Sequence, residues 1–218
     1  MKKTLILIFL CFISIGTKAQ KISWDTIVYN DAYASYFSAK YRNPVLVAYK
    51  LYKGGGPCSR AKFRFKNDLQ IKTATDKDYL HSGFDKGHLA NSEDFAFNCP
   101  LDELTFRYYN CVPQYPELNR GIWKSNEEEI RRISQKDSIL IVCLNIFDTG
   151  SKTIGNGVHV PSSCVKIVYS LSTNKILMIK AFTNSRTPSS SDKNEEWLKN
   201  IGFREFDSLR KKLKTNTP

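Results

Sequence analysis

Several things are missing from this chain, and each absence removes a class of function. No C-x-x-C occurs, so no cysteine spacing reads as a zinc site. Gly54-Gly55-Gly56 is not followed by Gly-Lys-Ser or Gly-Lys-Thr, which rejects a nucleotide phosphate loop. No serine or cysteine sits in a recognisable nucleophile elbow or dyad, which disfavours a peptide or lipid hydrolase. Internal repeats are absent, and nothing marks a second domain. Apolar runs long enough to span a bilayer are absent too, since about 20 residues are needed. Histidine is scarce, with only His81, His88 and His159. Acids are outnumbered, 21 against 33 lysines and arginines, which leaves a formal charge of +12. Positive charge suits polyanions such as nucleic acids, but it also occurs on proteins that bind acidic surfaces with no enzymology.

The N-terminus reads as a secretory signal. Lys2-Lys3 precede an apolar run of 12 residues, Leu5 to Gly16, and Thr17-Lys18-Ala19 follows. Leu10 before Cys11 is not the small residue a lipoprotein cleavage site needs. Cleavage near Ala19 would send the mature chain, residues 20–218, outside the cell or into a periplasm, with a charge of +9 once Lys2, Lys3 and Lys18 are gone. That length suffices for one domain with a full core. Five cysteines remain: Cys58, Cys99, Cys111, Cys143 and Cys164. In an oxidising compartment some pair, and internal pairing leaves at least one free. Cys143, in the apolar run Ser138 to Phe147, reads as a buried thiol. Cys99 and Cys111 bracket one segment and are candidates to staple it.

Strand signals are concentrated in Pro44 to Tyr52, Ser138 to Phe147, Cys164 to Tyr169 and Lys175 to Phe182. Asn184 to Asp192 reads as a polar loop. Ser191 or Asp192 suits the cap of a helix that runs through Leu198 and ends near Gly202, and Phe206 to Leu213 reads as a last helix.

Two blocks carry chemistry. In Asp85-Lys86-Gly87-His88, an extended backbone puts Lys86 and His88 on one face. Imidazole takes a proton near neutral pH; a cation nearby would hold it neutral and meet a phosphate. Gly87 lets another group approach closely. Taken alone, a Gly-His pair is most often a half-buried strand end. The second block runs from Asn110-Cys111-Val112-Pro113-Gln114 to Asn119-Arg120-Gly121-Ile122-Trp123. Asn119, Trp123, Glu127 and Arg131 recur every fourth residue, one drifting stripe of a helix. An Asn carbonyl can serve Mg²⁺, which keeps most of its waters. Glu127 can orient those waters, and Arg131 can grip a phosphate. A solvated helix face is the bland alternative for the Glu and Arg.

Together the blocks resemble the ββα-metal DNA/RNA non-specific endonucleases. Those proteins carry D-R-G-H, then N-x-x-P-Q, then L-N-x-G-x-W and a Glu. Here Lys86 stands for the Arg, and Asn126 replaces the apolar residue common before the Glu. The resemblance covers roughly Tyr36 to Phe182. It implies an α+β, His-Me finger fold with a central antiparallel sheet flanked by helices. It implies His88 as general base and Asn119 as the protein ligand of Mg²⁺, with Mn²⁺ as a substitute. Glu127, Arg131, Lys86, Asn110 and Arg60 are carried over as further catalytic residues. An Arg before a Phe-x-x-Asp, here Phe65 to Asp68, leaves Arg60 and Arg64 both open as phosphate contacts beside Lys86 and Arg131; a solvated loop charge is the alternative for either. The implied activity is exported, metal-dependent hydrolysis of DNA and RNA with little sequence preference. A phosphodiesterase of small extracellular nucleotides and a non-catalytic nucleic-acid binder of the same fold are the competing functions.

Overall fold

Ser138 to Phe147 is apolar at both odd and even positions, and a strand with no polar face must be covered on both sides. The computed structural model, which describes residues 22–67, 70–203 and 211, shows how. β1 (Thr26–Tyr29), β2 (Ala34–Ser38) and β3 (Asn43–Leu51) lead through α1 (Asp76–Tyr79) to β4 (Asp85–His88). Then come α2 (Cys99–Leu104), β5 (Cys111–Gln114), a π-type turn over Leu118–Trp123 and α3 (Lys124–Ser134). β6 (Ile139–Ile146), the short pair β7 (Thr153–Ile154) and β8 (Val158–His159), β9 (Ser163–Ser170), β10 (Ile176–Thr183), β11 (Ser190–Asp192) and α4 (Glu195–Asn200) complete the order.

A seven-stranded sheet runs β1-β2-β3-β6-β9-β10-β11, antiparallel at every pairing. Side chains alternate across a strand, so Ile139, Ile141 and Cys143 enter one core while Leu140, Val142 and Leu144 enter the other. The second core is closed by Trp197 and Leu198 of α4. Against the first lie Leu89, Val112, Leu118, Trp123 and Ile130, the apolar side of a separate unit. That unit is β4 paired antiparallel with β5, followed by α3: a ββα motif laid on the sheet.

Three expectations are corrected. Cys99 pairs with Cys58, and Cys111 is a buried free thiol beside Tyr79, as are Cys143 and Cys164 in the core. Residues Ser190–Asp192 form a sheet edge instead of loop, because they complete the open side of β10. The cap of α4 is Asn194, whose side chain accepts from Trp197 N at 2.9 Å. The expected signal segment, Asp68 and, apart from Lys211, the Phe206 to Leu213 helix lie outside the described residues.

Candidate active site

His88 ends β4, and its ring lies 4.8 Å from both Phe65 and Phe106. Its Nε2 is buried with no hydrogen-bond partner among the described residues. Burial, and then the nearby Arg60 charge, push its pKa down to about 3. The imidazole is therefore neutral at physiological pH. Gly87 makes the strand fit: a Cβ there would collide with the side chain of Gln114, which is fully buried on β5. The close approach expected at this glycine is thus made by the paired strand.

Asn110 has no exposed surface, so it cannot reach a substrate in this arrangement. Its amide accepts from Ala90 N and donates to the carbonyls of Ala90 and Thr105, each at 2.9 Å. It clamps the chain leaving β4 to the chain entering β5. It does not line the cleft that His88 lines, unlike the other residues expected beside it there, Arg60, Glu127 and Arg131.

Asn119 sits in the π-type turn. Gly121 leaves helical geometry there (φ −100°, ψ −116°), so the four-residue stripe is interrupted. Trp123 consequently faces the core, whereas Asn119, Glu127 and Arg131 share a cleft with His88. Asn119 Nδ2 donates to Asp85 Oδ2 at 3.0 Å, and among the described residues its Oδ1 has no hydrogen-bond partner. Asp85 is also gripped by Arg120, Nε to Oδ2 at 2.8 Å and Nη2 to Oδ1 at 2.7 Å. Burial works against the Asp85 charge, yet the bonds from Arg120 and Asn119 prevail and hold the carboxyl below its usual range.

The cleft, about 720 Å³, is lined by His88, Asn119, Glu127 and Arg131 together with Arg60, Asn91, Glu93, Arg120, Lys124 and Glu128. Arg60 reaches it from the loop after β3, bonded to Glu93 at 2.9 Å. The structure separates the two arginines left open by the sequence: Arg64 is exposed, turned to the carbonyls of Ala61 and Phe63 and away from this cleft. Lys86 lies on the far side of Asn119, in a second cleft of about 530 Å³ with Tyr79 and Phe84. It pairs with Asp76 and lies over the rings of Phe65, Tyr79 and Tyr108. Arg131 is largely built into the wall: Nε donates to Asp94 at 2.9 Å and Nη2 to Asn91 at 3.1 Å. Asp94 in turn accepts from Tyr49 at 2.8 Å. Glu127 is buried beneath the cleft and bonded to Lys166 Nζ at 3.1 Å. Burial pushes the Glu127 carboxyl up, and Lys166 opposes that shift. His159 lies elsewhere, bonded to Ser151 and packed on Tyr41.

A sequence model of the DNA/RNA non-specific endonucleases matches residues 16–206. The chain belongs to that family. Human mitochondrial endonuclease G is 32% identical to it over 91 residues, 40% of this chain and 31% of that protein. The mitochondrial nuclease EXOG of Danio rerio is 30% identical over 128 residues, 52% and 37% of the two chains. A nuclease of a Nostoc species is 28% identical over 137 residues, 60% and 50%. The matched regions span about a third to a half of these relatives. A solved EndoG/EndoGI complex shares the fold, with a TM-score of 0.66 over 83% of this chain and 85% of that one, at 22% identity. Within the matched residues, Asp85–His88 forms β4 and Leu118–Trp123 the π-type turn.

A hard divalent cation fits the donors present. The grip of Asp85 on the Asn119 amide nitrogen presents a neutral oxygen, and Glu93, Glu127 and Glu128 stand around the same cleft to receive waters. Among the described residues no group of three or more His, Cys, Asp or Glu is assembled to hold an ion by itself. The sequence did not single out Asp85, Asn91, Asp94, Arg120 or Lys166. Asp85 had a signal, its place inside the first block. Lys166 had another, a lone charge inside the apolar run Cys164 to Val168.

Proposed function

We propose that this cleft hydrolyses phosphodiester bonds in DNA and RNA with little sequence preference, in a protein exported from the cell. One observation carries the reading. A neutral imidazole, its buried Nε2 without a hydrogen-bond partner among the described residues, shares a cleft with the Asn119 amide and with four basic side chains, Arg60, Arg120, Lys124 and Arg131. Basic groups at such a cleft bind phosphate and leave bases unread, which suits broad substrate use. The disulfide between Cys58 and Cys99 supports an oxidising compartment. No helix among the described residues is long and apolar enough to cross a membrane.

In this reading His88 accepts the proton of the attacking water. Low basicity is the cost of its burial, and its advantage is that it is unprotonated at working pH. Asn119 would hold Mg²⁺ or Mn²⁺, and the bound cation would supply positive charge to the phosphate and the leaving oxygen. Asp85 orients Asn119, Arg60 faces the phosphate, and Glu127 orders water at the floor. Lys86 lies beyond Asn119 and meets the continuing strand.

The test uses purified protein with plasmid DNA, RNA or a dinucleotide, each with Mg²⁺ or with EDTA. Cleavage of both polymers, abolished by EDTA and restored by Mg²⁺, is expected. Turnover of the dinucleotide alone would replace this reading with a small-nucleotide phosphodiesterase. Tight binding without cleavage would replace it with a nucleic-acid binder.

A further inference from the structure

Among the described residues Lys166 is the only buried lysine, at 0% exposure. It lies on β9 between Val165 and Ile167, which point into the α4 core. Alternation turns Lys166 to the opposite face with Cys164 and Val168, under the ββα unit. Its neighbours in register are Cys143 on β6 and Lys180 on β10. An ammonium buried there is costly unless paired. Its Nζ is 3.1 Å from Glu127 Oε1 and 4.3 Å from the centre of the Trp123 ring.

Lys166 does not line the cleft, while Glu127 does. Seen from the cleft, the lysine stands behind the carboxylate. Lys166 holds Oε1, and among the described residues Oε2 has no hydrogen-bond partner, while Glu127 lines the cleft. We propose that Lys166 is a positioning residue for phosphodiester hydrolysis, acting through Glu127 and never touching substrate.

The inference rests on the role given above to Glu127. Its physical basis is a balance of charges from every side. Burial and the Asp94 carboxylate disfavour a charged Glu127, while Lys166 and Arg131 favour it. Tyr49 and Cys143 face the same group from β3 and β6. Both groups are more than nine-tenths buried, so the pair is little screened by solvent. Lys166 is also the only one of the cations fixed to the sheet; Arg131 belongs to the same helix as Glu127. It thereby ties the carboxylate to the rigid part of the fold and opposes the upward shift that burial imposes.

The experiment compares wild type, Lys166→Met, Lys166→Gln, Glu127→Gln and the Lys166→Met/Glu127→Gln pair on plasmid DNA with saturating Mg²⁺. Second-sphere partners of this kind are worth about 10–100-fold. Lys166→Met is expected to lower kcat by about that factor with little change in KM. It should also move the acidic limb of the pH–rate profile upward, because Glu127 then takes its proton more readily. In the Glu127→Gln background the same substitution should have no further effect on kcat. If Lys166→Met fails to fold, Lys166→Gln keeps a hydrogen bond without the charge and must show the same upward move of the limb. In that case the double variant, which buries no unpaired carboxylate, must recover the folded state that Lys166→Met lacks. An unaffected Lys166→Met enzyme beside a slow Glu127→Gln enzyme overturns this inference alone. Losses that add in the double variant overturn it as well, since Lys166 would then act by another route. A Glu127→Gln enzyme at the wild-type rate removes the role of Glu127 itself.

Discussion

At the scale of single residues, His88 combines two demands that pull against each other. As the proposed base it must meet a water, and burial must keep it neutral. Its pKa in the fold, about 3, lies below the ordinary 6.5, so an unfolded chain takes up the proton first. Its contribution to stability is intact above about pH 6.5 and is lost as pH falls toward 3. His88→Phe keeps a ring against Phe65 and Phe106. Melting temperatures at pH 7.5 and 4.5 should therefore shift in favour of the variant on acidification, while turnover falls by about 10²–10⁴-fold. A temperature gap that is constant with pH would show that the fold does not hold His88 neutral. Asn119 gives a second test. Asn119→Asp removes the donor to Asp85 and sets two carboxylates about 3.0 Å apart. Activity should drop at least ~10²-fold, the scale of losing one electrostatic contact at a reacting group. Adding Asp85→Asn should recover part of it by relieving the repulsion, and no recovery would mean that Asp85 does not orient this ligand.

At the scale of elements, the ββα unit and the long strands were legible in the sequence, and the reasons are local. His88 and Asn119 stood in blocks whose order and gaps are specific. The strands from Pro44, Ser138, Cys164 and Lys175 are apolar runs bounded by turns. What depends on distant partners was not legible. Cys58 and Cys99 are 41 residues apart, and no pattern around either marks the other. The Lys166–Glu127 pair joins a strand to a helix, so neither residue announces it. Asn110 belonged to a correct motif, yet its burial and its bonds to Ala90 and Thr105 appear only in three dimensions. The disulfide has a functional side, because Arg60 follows Cys58 by two residues in the same loop. Replacing both cysteines by serine should cost about 2–4 kcal/mol, the usual worth of a loop of this size. It should also raise KM for DNA as Arg60 loses its tether to the cleft. Chemical unfolding and steady-state kinetics check the two effects separately; an unchanged KM would mean that the Arg60–Glu93 pair alone holds the loop.

At the scale of the whole molecule, the proposed function makes charge the means by which the cleft would meet a nucleic acid. The chain carries +12 formally, and four basic side chains border the cleft. Each phosphate neutralised on duplex DNA contributes a slope of about −0.9 in log affinity against log salt. Engagement of the four would give a slope of about −3 to −4, measurable by fluorescence anisotropy of labelled duplexes at several salt concentrations. A flat response would place affinity in base contacts, and cleavage would then favour particular sequences.

The three free thiols among the described residues have a practical consequence. Cys111, Cys143 and Cys164 are buried, and burial raises each pKa to about 12, so none is a thiolate in the native protein. An alkylating reagent can reach them only when the protein opens. Cys111 lies in the ββα unit, and Cys143 and Cys164 lie in the sheet. Timed alkylation followed by peptide mass spectrometry would therefore act as two clocks in one molecule, one for the ββα unit lifting off and one for the sheet coming apart.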